Sequence, residues 1–368
     1  AFEKRRHIHV PHRRLLKNEF FSSLLDMGAG DGWRLLLLHS MSTRLQLLHA
    51  LTDGACHSGT ALGEQLGVTR AAIHKCIQGL EALGLGIERV PGQGYRLQVP
   101  LVPLSARTIR QALAARGVQL ALEVVEETDS TSLALMRERA PGVRVLFTEM
   151  QTTGRGRRGR GWVATPFQNL ILSMSWVAEG GPAALAGLSL AAGVAVLRAL
   201  DGSGVNGAGL KWPNDILLNG RKLAGLLVDL RGEANGPSTV VLGLGLNVHL
   251  SGKDLAQIDQ PCAMLSEVLP TPIDRNALAA RVIAELDSMR AVFAAKGFEP
   301  FRAEWEQRHL YHQQPVTVQQ GEGATRGTVA GIDAQGNLLL RDEHGTMITC
   351  HAGDVSLRNA KGLHAAAL

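Results

Sequence analysis

The sequence predicts a multidomain α+β protein: an N-terminal winged helix-turn-helix, a central domain of mixed sheet and helix, and a small C-terminal β-barrel. Three observations carry that prediction. Two capped, periodic helical stretches separated by one glycine precede residue 85, prolines bracket the stretch 99–104, and after Pro315 only short strands with glycine-containing turns remain. Length agrees, because 368 residues exceed one typical domain of roughly 100–200 residues. With 45% hydrophobic and 19% charged residues, the composition excludes collagenous, wholly disordered and coiled-coil chains. The apolar stretches Leu35–Leu38 and Ala183–Ala199 are too short or interrupted by Gly and Ser for a membrane span. A folded soluble chain without membrane contact is the expectation.

Residues 1–40 carry the basic clusters Lys4-Arg5-Arg6 and Arg13-Arg14 without sustained periodicity. They read as a disordered extension, with Met41 as the true start. Glu3, Glu19, Asp26 and Asp31, and the lack of a cleavage signal, argue against a transit peptide.

Residues 41–99 form the expected winged helix. Ser58 can cap a helix running through Leu66, Gly67 supplies the turn, and Thr69 can cap a second helix in which Ile73, Cys76, Ile77 and Leu80 recur at i, i+3, i+4, i+7. That apolar stripe leaves Arg70, His74, Lys75 and Gln78 on other faces, where with Thr69 they are the DNA-binding candidates. A hairpin follows, Ile87–Val90 and Tyr95–Leu97 around Pro91-Gly92-Gln93-Gly94. An ordinary helical domain with a solvated basic face, or a protein-interaction winged helix, would read the same way.

Pro100 and Pro103 mark a stiff extended linker. The central domain spans 100–314, with helices at Ala183–Leu200 and Ile273–Ala295 and strands at Val143–Phe147, Leu170–Trp176, Leu223–Leu230 and Val240–Val248. The last domain, 315–368, carries strands at Val316–Gln319, Thr325–Ile332, Asn337–Arg341 and Met347–His351. Cys56, Cys76, Cys262 and Cys350 lie far apart without zinc spacing, which suits a reducing cytoplasm. A formal charge of +5 admits anionic partners and names none.

Four strings carry chemistry. The first, residues 154–160, places Arg155, Arg157, Arg158 and Arg160 among glycines and ends beside Trp162. It formally matches GxGxxG, but no helix start follows. It also approaches a P-loop, yet Arg160 and Gly161 stand where the Lys and Ser/Thr are needed. What remains is a flexible loop whose guanidiniums fork onto phosphate or carboxylate oxygens. A solvated nucleic-acid-binding tail is the bland alternative, and Trp162 is equally a stacking surface or a core aromatic. The second string is Lys211-Trp212-Pro213-Asn214-Asp215, in which Asp215 can orient a polar ligand group or help hold magnesium; no metal ligand is assigned. The third is Arg221-Lys222-Leu223-Ala224-Gly225, where Lys222 could set a compact cation beside a reacting phosphate or be a solvated turn residue. In the fourth, Leu242, Leu244, Leu246 and Val248 alternate with Gly243, Gly245 and Asn247, leaving one strand face nearly bare. Such a face marks close approach by a ligand or a tightly packed helix.

Together these strings, in this order and spacing, resemble the bifunctional biotin–protein ligase and biotin operon repressor family over Ser42–Arg358. The resemblance implies an operator-binding winged helix, a central domain related to class II synthetases and to biotin and lipoate ligases, and an SH3-like barrel. It implies biotin contacts at Ser130, Thr131, Ser132, Gln151, Arg155, Gly156, Arg157 and Lys222. It implies ATP or adenylate contacts at Arg158, Arg160, Trp162, Lys211, Asn214, Asp215, Gly243 and Asn247, with Lys222, Arg157 and Asp215 serving catalysis. Biotin and ATP are the implied substrates, with Mg2+. A carboxylase biotin carrier domain, operator DNA and an adenylate-promoted homodimer are the implied partners. Two positions depart from the commonest family pattern: Ser132 stands where Asn is frequent, and Gly161 where Lys is frequent. The alternatives are a lipoate ligase or octanoyl transferase, and a ligand-sensing transcription factor without ligase activity.

Overall fold

A computed structural model describes residues 42–138, 141–233, 236–320, 323–352 and 355–359. The readings of residues 1–40 and of Met41 as a start lie outside them. The described residues open with three helices, α1 (Thr43–Leu51), α2 (Gly59–Leu66) and α3 (Arg70–Ala82), then a hairpin of β1 (Ile87–Val90) and β2 (Gly94–Leu97). The caps fall where side-chain chemistry places them. Ser58 Oγ accepts from Ala61 N, Thr69 Oγ1 accepts from Ala72 N, and Gly67 takes the left-handed conformation that ends α2.

Next come α4 (Ala106–Ala114), β3 (Ala121–Thr128), α5 (Thr131–Arg137), β4 (Arg144–Gln151), β5 (Leu170–Ala178), α6 (Leu188–Asp201), β6 (Ala208–Lys211), β7 (Asp215–Leu218), β8 (Arg221–Gly232) and β9 (Ser238–Leu246). Seven strands form one sheet in the order β3-β4-β5-β9-β8-β7-β6, parallel only between β3 and β4. A short helix α7 (Gly252–Leu255) leads to α8 (Arg275–Lys296) and α9 (Glu299–Arg308). Helix α6 packs on α8 and buries eleven of its fourteen residues. The segment Pro182–Asp201, α6 with the turn before it, is long and apolar enough to cross a membrane, but a helix apolar all round is also what a protein core demands.

The single helix expected over Ala183–Leu200 is instead a 3-10 turn, Pro182–Leu185, and α6. Gly187 breaks it: its φ of +78° is left-handed, and a Cβ there would meet the Phe298 ring at 2.6 Å. The linker is not a free spacer either. Leu101 is buried with the winged-helix core and Leu104 with the central core. Between them the chain is pinned by a fully buried ion pair, Arg275–Glu149 at 2.7 Å, whose groups bond Val102 O and Leu104 N. More joins the two units: Phe167, wholly buried with φ +63°, packs in the winged-helix core, and Arg44 of α1 pairs with Glu126 and Glu127 of β3.

The last five strands, β10 (Pro315–Gln320), β11 (Gly323–Ile332), β12 (Leu338–Arg341), β13 (Met347–Cys350) and β14 (Val355–Asn359), form an antiparallel sheet in the order β13-β12-β11-β10-β14. β14 went unanticipated, and among the described residues β13 and β14 do not pair to close a barrel. Trp212 Nε1 donates to Gly336 O at 3.1 Å and docks this sheet on the β6–β7 turn.

Candidate functional site

Sheet register gathers the strings. Across β6, β7, β8, β9 and β5, one row of directly paired residues reads Lys211, Asp215, Gly225, Gly245, Ile171. Paired residues share a sheet face, and the opposite face is covered by α6 and α8. The next row on the same face reads Leu227, Gly243, Ser173, Leu146. The glycine face is therefore the floor of a cavity, with two different coverings. Over Gly245 and Gly225 lies the Trp162 indole: a Cβ on Gly245 would come within 2.6 Å of its carbons, and one on Gly225 within 3.0 Å. Over Gly243 sits Ser132 of α5, where an added Cβ would meet its Oγ at 2.8 Å. The bare face is thus covered in one part by a helix, as one reading had it, and in the other by a tryptophan side chain, which neither reading named. Gly245→Ala is expected to cost about 1–3 kcal/mol by overpacking and to lower the melting temperature. Gly252→Ala, with nothing within 4 Å, is the control. Equal melting of the two variants would mean that the indole does not rest on Gly245.

The arginine loop has internal order. Trp162 N bonds Gly154 O and Gly156 N bonds Arg160 O at 2.8 Å, while Arg157–Gly159 make a 3-10 turn with Arg158 at φ +61°. Arg157 Nη1 donates to Asn214 Oδ1 at 3.0 Å, joining loop to turn, and Asn214 Nδ2 is held by Leu226 O. Arg155 pairs with Asp229 at 3.3 Å. Lys222 Nζ stands 2.8 Å from Asp215 Oδ1, an ion contact without hydrogen-bond alignment, and 5.6 Å from the Trp162 ring centre. Its backbone is fixed from both sides, by Pro261 O and Ala263 N. Beside it burial pushes the Cys262 thiol up, with the Lys222 and Arg221 charges opposing.

At the other end of the cavity Ser130 caps α5, and Thr131 N donates to Gln151 Oε1 at 2.9 Å. Six cations line the cavity, Arg155, Arg157, Arg158, Arg160, Lys211 and Lys222, against one carboxylate, Asp215. Such a lining suits a multiply charged anion. Among the described residues no group of three His, Cys, Asp or Glu could hold a metal, and Asp215, the carboxylate of the lining, is engaged by Lys222.

Of the sequence candidates, all of the biotin and adenylate set line this cavity except Asn247, which is buried and outside the lining. Its amide donates to Lys222 O and Ala263 O, so it supports the Lys222 backbone. Gln260, Leu357 and Ser173 escaped the sequence reading; the first two join the lining from distant segments. In the winged helix, Thr69, Arg70, Lys75 and Gln78 are exposed along α3. His74 is half-buried, with Nδ1 3.2 Å from the Tyr95 hydroxyl, and braces the hairpin rather than facing outward. The hairpin cations Arg89 and Arg96 are paired with Glu81 and Glu88.

Comparisons with known proteins fall on the same segments. The Biotin/lipoate A/B protein ligase family matches residues 122–247, an HTH domain 43–96, and the Biotin protein ligase C terminal domain 312–358. The bifunctional ligase/repressor BirA of Escherichia coli is 38% identical over 317 residues, which is 86% of this chain and 98% of that protein. The biotin–[acetyl-CoA-carboxylase] ligase of Mycobacterium tuberculosis is 36% identical over 69% of this chain and 95% of its own. Among solved structures, the biotin protein ligase from Aquifex aeolicus in complex with biotin and ATP superposes with a TM-score of 0.56 at 27% identity. It covers 65% of this chain and 99% of its own.

Proposed function

The chain belongs to the family of bifunctional biotin ligase/repressors and biotin–protein ligases, and on that premise we propose how its own residues divide the work. It is an ATP-dependent biotin ligase that acts on a biotin carrier domain, and its winged helix makes it a biotin-responsive repressor at operator DNA. The observation that carries the chemical reading is the cavity lined by six cations and one carboxylate. ATP and biotin are both anions, so the biotin carboxylate cannot reach the α-phosphate until cations neutralise both and hold them in line. Lys222 and Arg157 do so at the reacting centre, Asp215 sets the Lys222 ammonium, and Arg158, Arg160 and Lys211 take the polyphosphate. Magnesium bound to the ATP phosphates would shield their charge beside Arg158, Arg160 and Lys211, with Asp215 the carboxylate within the lining that could meet it. Carboxylate attack forms biotinyl-5′-adenylate and releases pyrophosphate. A lysine amine of the carrier then attacks the mixed anhydride, an amide forms and AMP leaves, with no nucleophile from the enzyme.

The finer reading is that the adenylate promotes a homodimer whose two winged helices meet two half-sites, in the cytoplasm where carboxylase and operator coexist. The test of the chemistry is pyrophosphate exchange with biotin or lipoate, beside transfer of labelled biotin to a carrier domain. Exchange driven by lipoate, or biotin binding without transfer, would overturn it in favour of a lipoate-type enzyme or a pure sensor.

Arg157 also serves as a latch, because its bond to Asn214 closes the loop over the cavity. Arg157→Ala is expected to cost about 2–4 kcal/mol of anion stabilisation, so the adenylate escapes roughly a hundredfold faster. Adenylate half-life on the enzyme is the measurement, and an unchanged half-life removes Arg157 from this role.

A further inference from the structure

Three hydroxyls meet under α5 where only two were read from the sequence. Ser173 of β5, with no exposure, lies 2.8 Å from Thr131 Oγ1 and 3.0 Å from Ser132 Oγ. It is directly paired with Gly243, whose missing side chain leaves the room in which Ser132 sits. Thr131 Oγ1 in turn reaches Gln151 Oε1 at 3.3 Å, the same oxygen that takes the Thr131 N–H. That N–H fixes the amide orientation, because only the carbonyl oxygen of Gln151 can face a backbone donor. Each hydroxyl has one proton. All three contacts become hydrogen bonds only if Ser132 donates to Ser173, Ser173 to Thr131 and Thr131 to Gln151. Run the other way, Thr131 spends its proton on Ser173 and the contact to Gln151 is lost.

We propose that Ser173 is a positioning residue for biotin recognition: it takes the Ser132 proton inward, so that Ser132 presents lone pairs to a ureido N–H of biotin. The inference rests on the biotin-ligase reading and adds the residue that sets hydrogen-bond polarity. It also accounts for Ser at position 132. A short hydroxyl fits between Ser173 and Gly243, and Ser173 supplies the order that a larger side chain would carry in itself. Ser173 touches no ligand-facing space, so it acts through Ser132 and Thr131.

The test is a cycle between protein and ligand on the full-length protein. Biotin is compared with its two cyclic-carbamate analogues, in which oxygen replaces either ureido N–H, on the wild type and on Ser173→Ala. Expected is a biotin Kd about tenfold weaker in Ser173→Ala, because two buried hydroxyls lose a partner, and a raised KM for biotin with little change in the KM for ATP. For one carbamate the penalty relative to biotin shrinks several-fold in the variant, since a released Ser132 hydroxyl can rotate and donate to the ring oxygen. A merely structural role would weaken all three ligands alike and move both KM values together. Uniform weakening, unchanged biotin affinity, or a carbamate penalty that grows overturns the proposal while leaving the ligase reading intact. Failure of wild-type protein to bind biotin at all overturns the ligase reading itself. Should Ser173→Ala melt far below the wild type, Ser132→Ala carries the same cycle: the identical carbamate's penalty must collapse there, and its persistence overturns the proposal.

Discussion

Replacing Lys222 by alanine lowers biotin-dependent pyrophosphate exchange by roughly two to three orders of magnitude and moves the melting temperature by only about a few degrees. The size follows from where the ammonium stands. It stands 2.8 Å from Asp215 Oδ1 and lies over the Trp162 ring on the cavity floor. Alanine removes one attraction for the incoming anions and also uncovers the Asp215 charge, which then repels them. The two effects separate in Lys222→Ala/Asp215→Asn: with the uncovered carboxylate neutralised, biotin affinity recovers in part while exchange stays low. Stability changes little because the Lys222 backbone is held by Pro261 and Ala263, and its position by Asn247, whatever the side chain. Calorimetry with biotin beside a melting curve is the measurement. Wild-type exchange in Lys222→Ala would return this lysine to an ordinary turn residue.

What could be read from the sequence divides along contact range. Local chemistry was legible: Ser58 and Thr69 cap α2 and α3, Gly67 turns between them, and the alternation of Leu242 to Val248 against glycines gives the bare face of β9. The strands β6 and β7 were missed because neither alternates: β6 buries the neighbours Gly209 and Leu210, and β7 buries Ile216, Leu217 and Leu218 in a row. Helix α9 was missed because Phe301 and Trp305 are its only buried residues, one i, i+4 pair in an otherwise polar run. In the site, the strings were visible but their partners were not. That Trp162 lies on Gly245, that the Asn247 amide bonds Lys222 O and Ala263 O, and that Ser173 joins Thr131 are contacts between segments distant in sequence, which no local pattern encodes. The same holds for the linker. Pro100 and Pro103 signalled extended chain, whereas the buried Arg275–Glu149 pair that pins it joins residues 126 apart.

Deleting residues 1–100 abolishes operator binding, since Thr69, Arg70, Lys75 and Gln78 all precede the cut, yet biotin-dependent exchange persists because every assigned ligand group lies between Ser130 and Asn247. The packing adds a cost that a purely modular chain would not show. Phe167 has no exposure in the intact protein and is buried among Leu47, Leu80 and Leu97 of the winged helix, so truncation turns its ring out to water. Exposing a buried Phe costs about 1.5–3 kcal/mol, and the Arg44 pairs with Glu126 and Glu127 are lost as well. The truncated protein should therefore melt lower and aggregate sooner, and Phe167→Ser in that background should relieve aggregation. Phe167 lies five residues beyond Trp162, so a winged helix that holds Phe167 also holds the exit of the arginine loop. The truncated protein is accordingly expected to lose adenylate faster than the full-length chain, in the direction of Arg157→Ala. In the intact chain, operator affinity is expected to rise with biotin plus ATP and to fall steeply with salt, as Arg70 and Lys75 would displace counterions from phosphates. Sedimentation and operator binding without ligand, with biotin, and with biotin plus ATP check the whole scheme. If the adenylate changes neither assembly nor DNA affinity, what stands is a ligase whose winged helix serves only to bury Phe167.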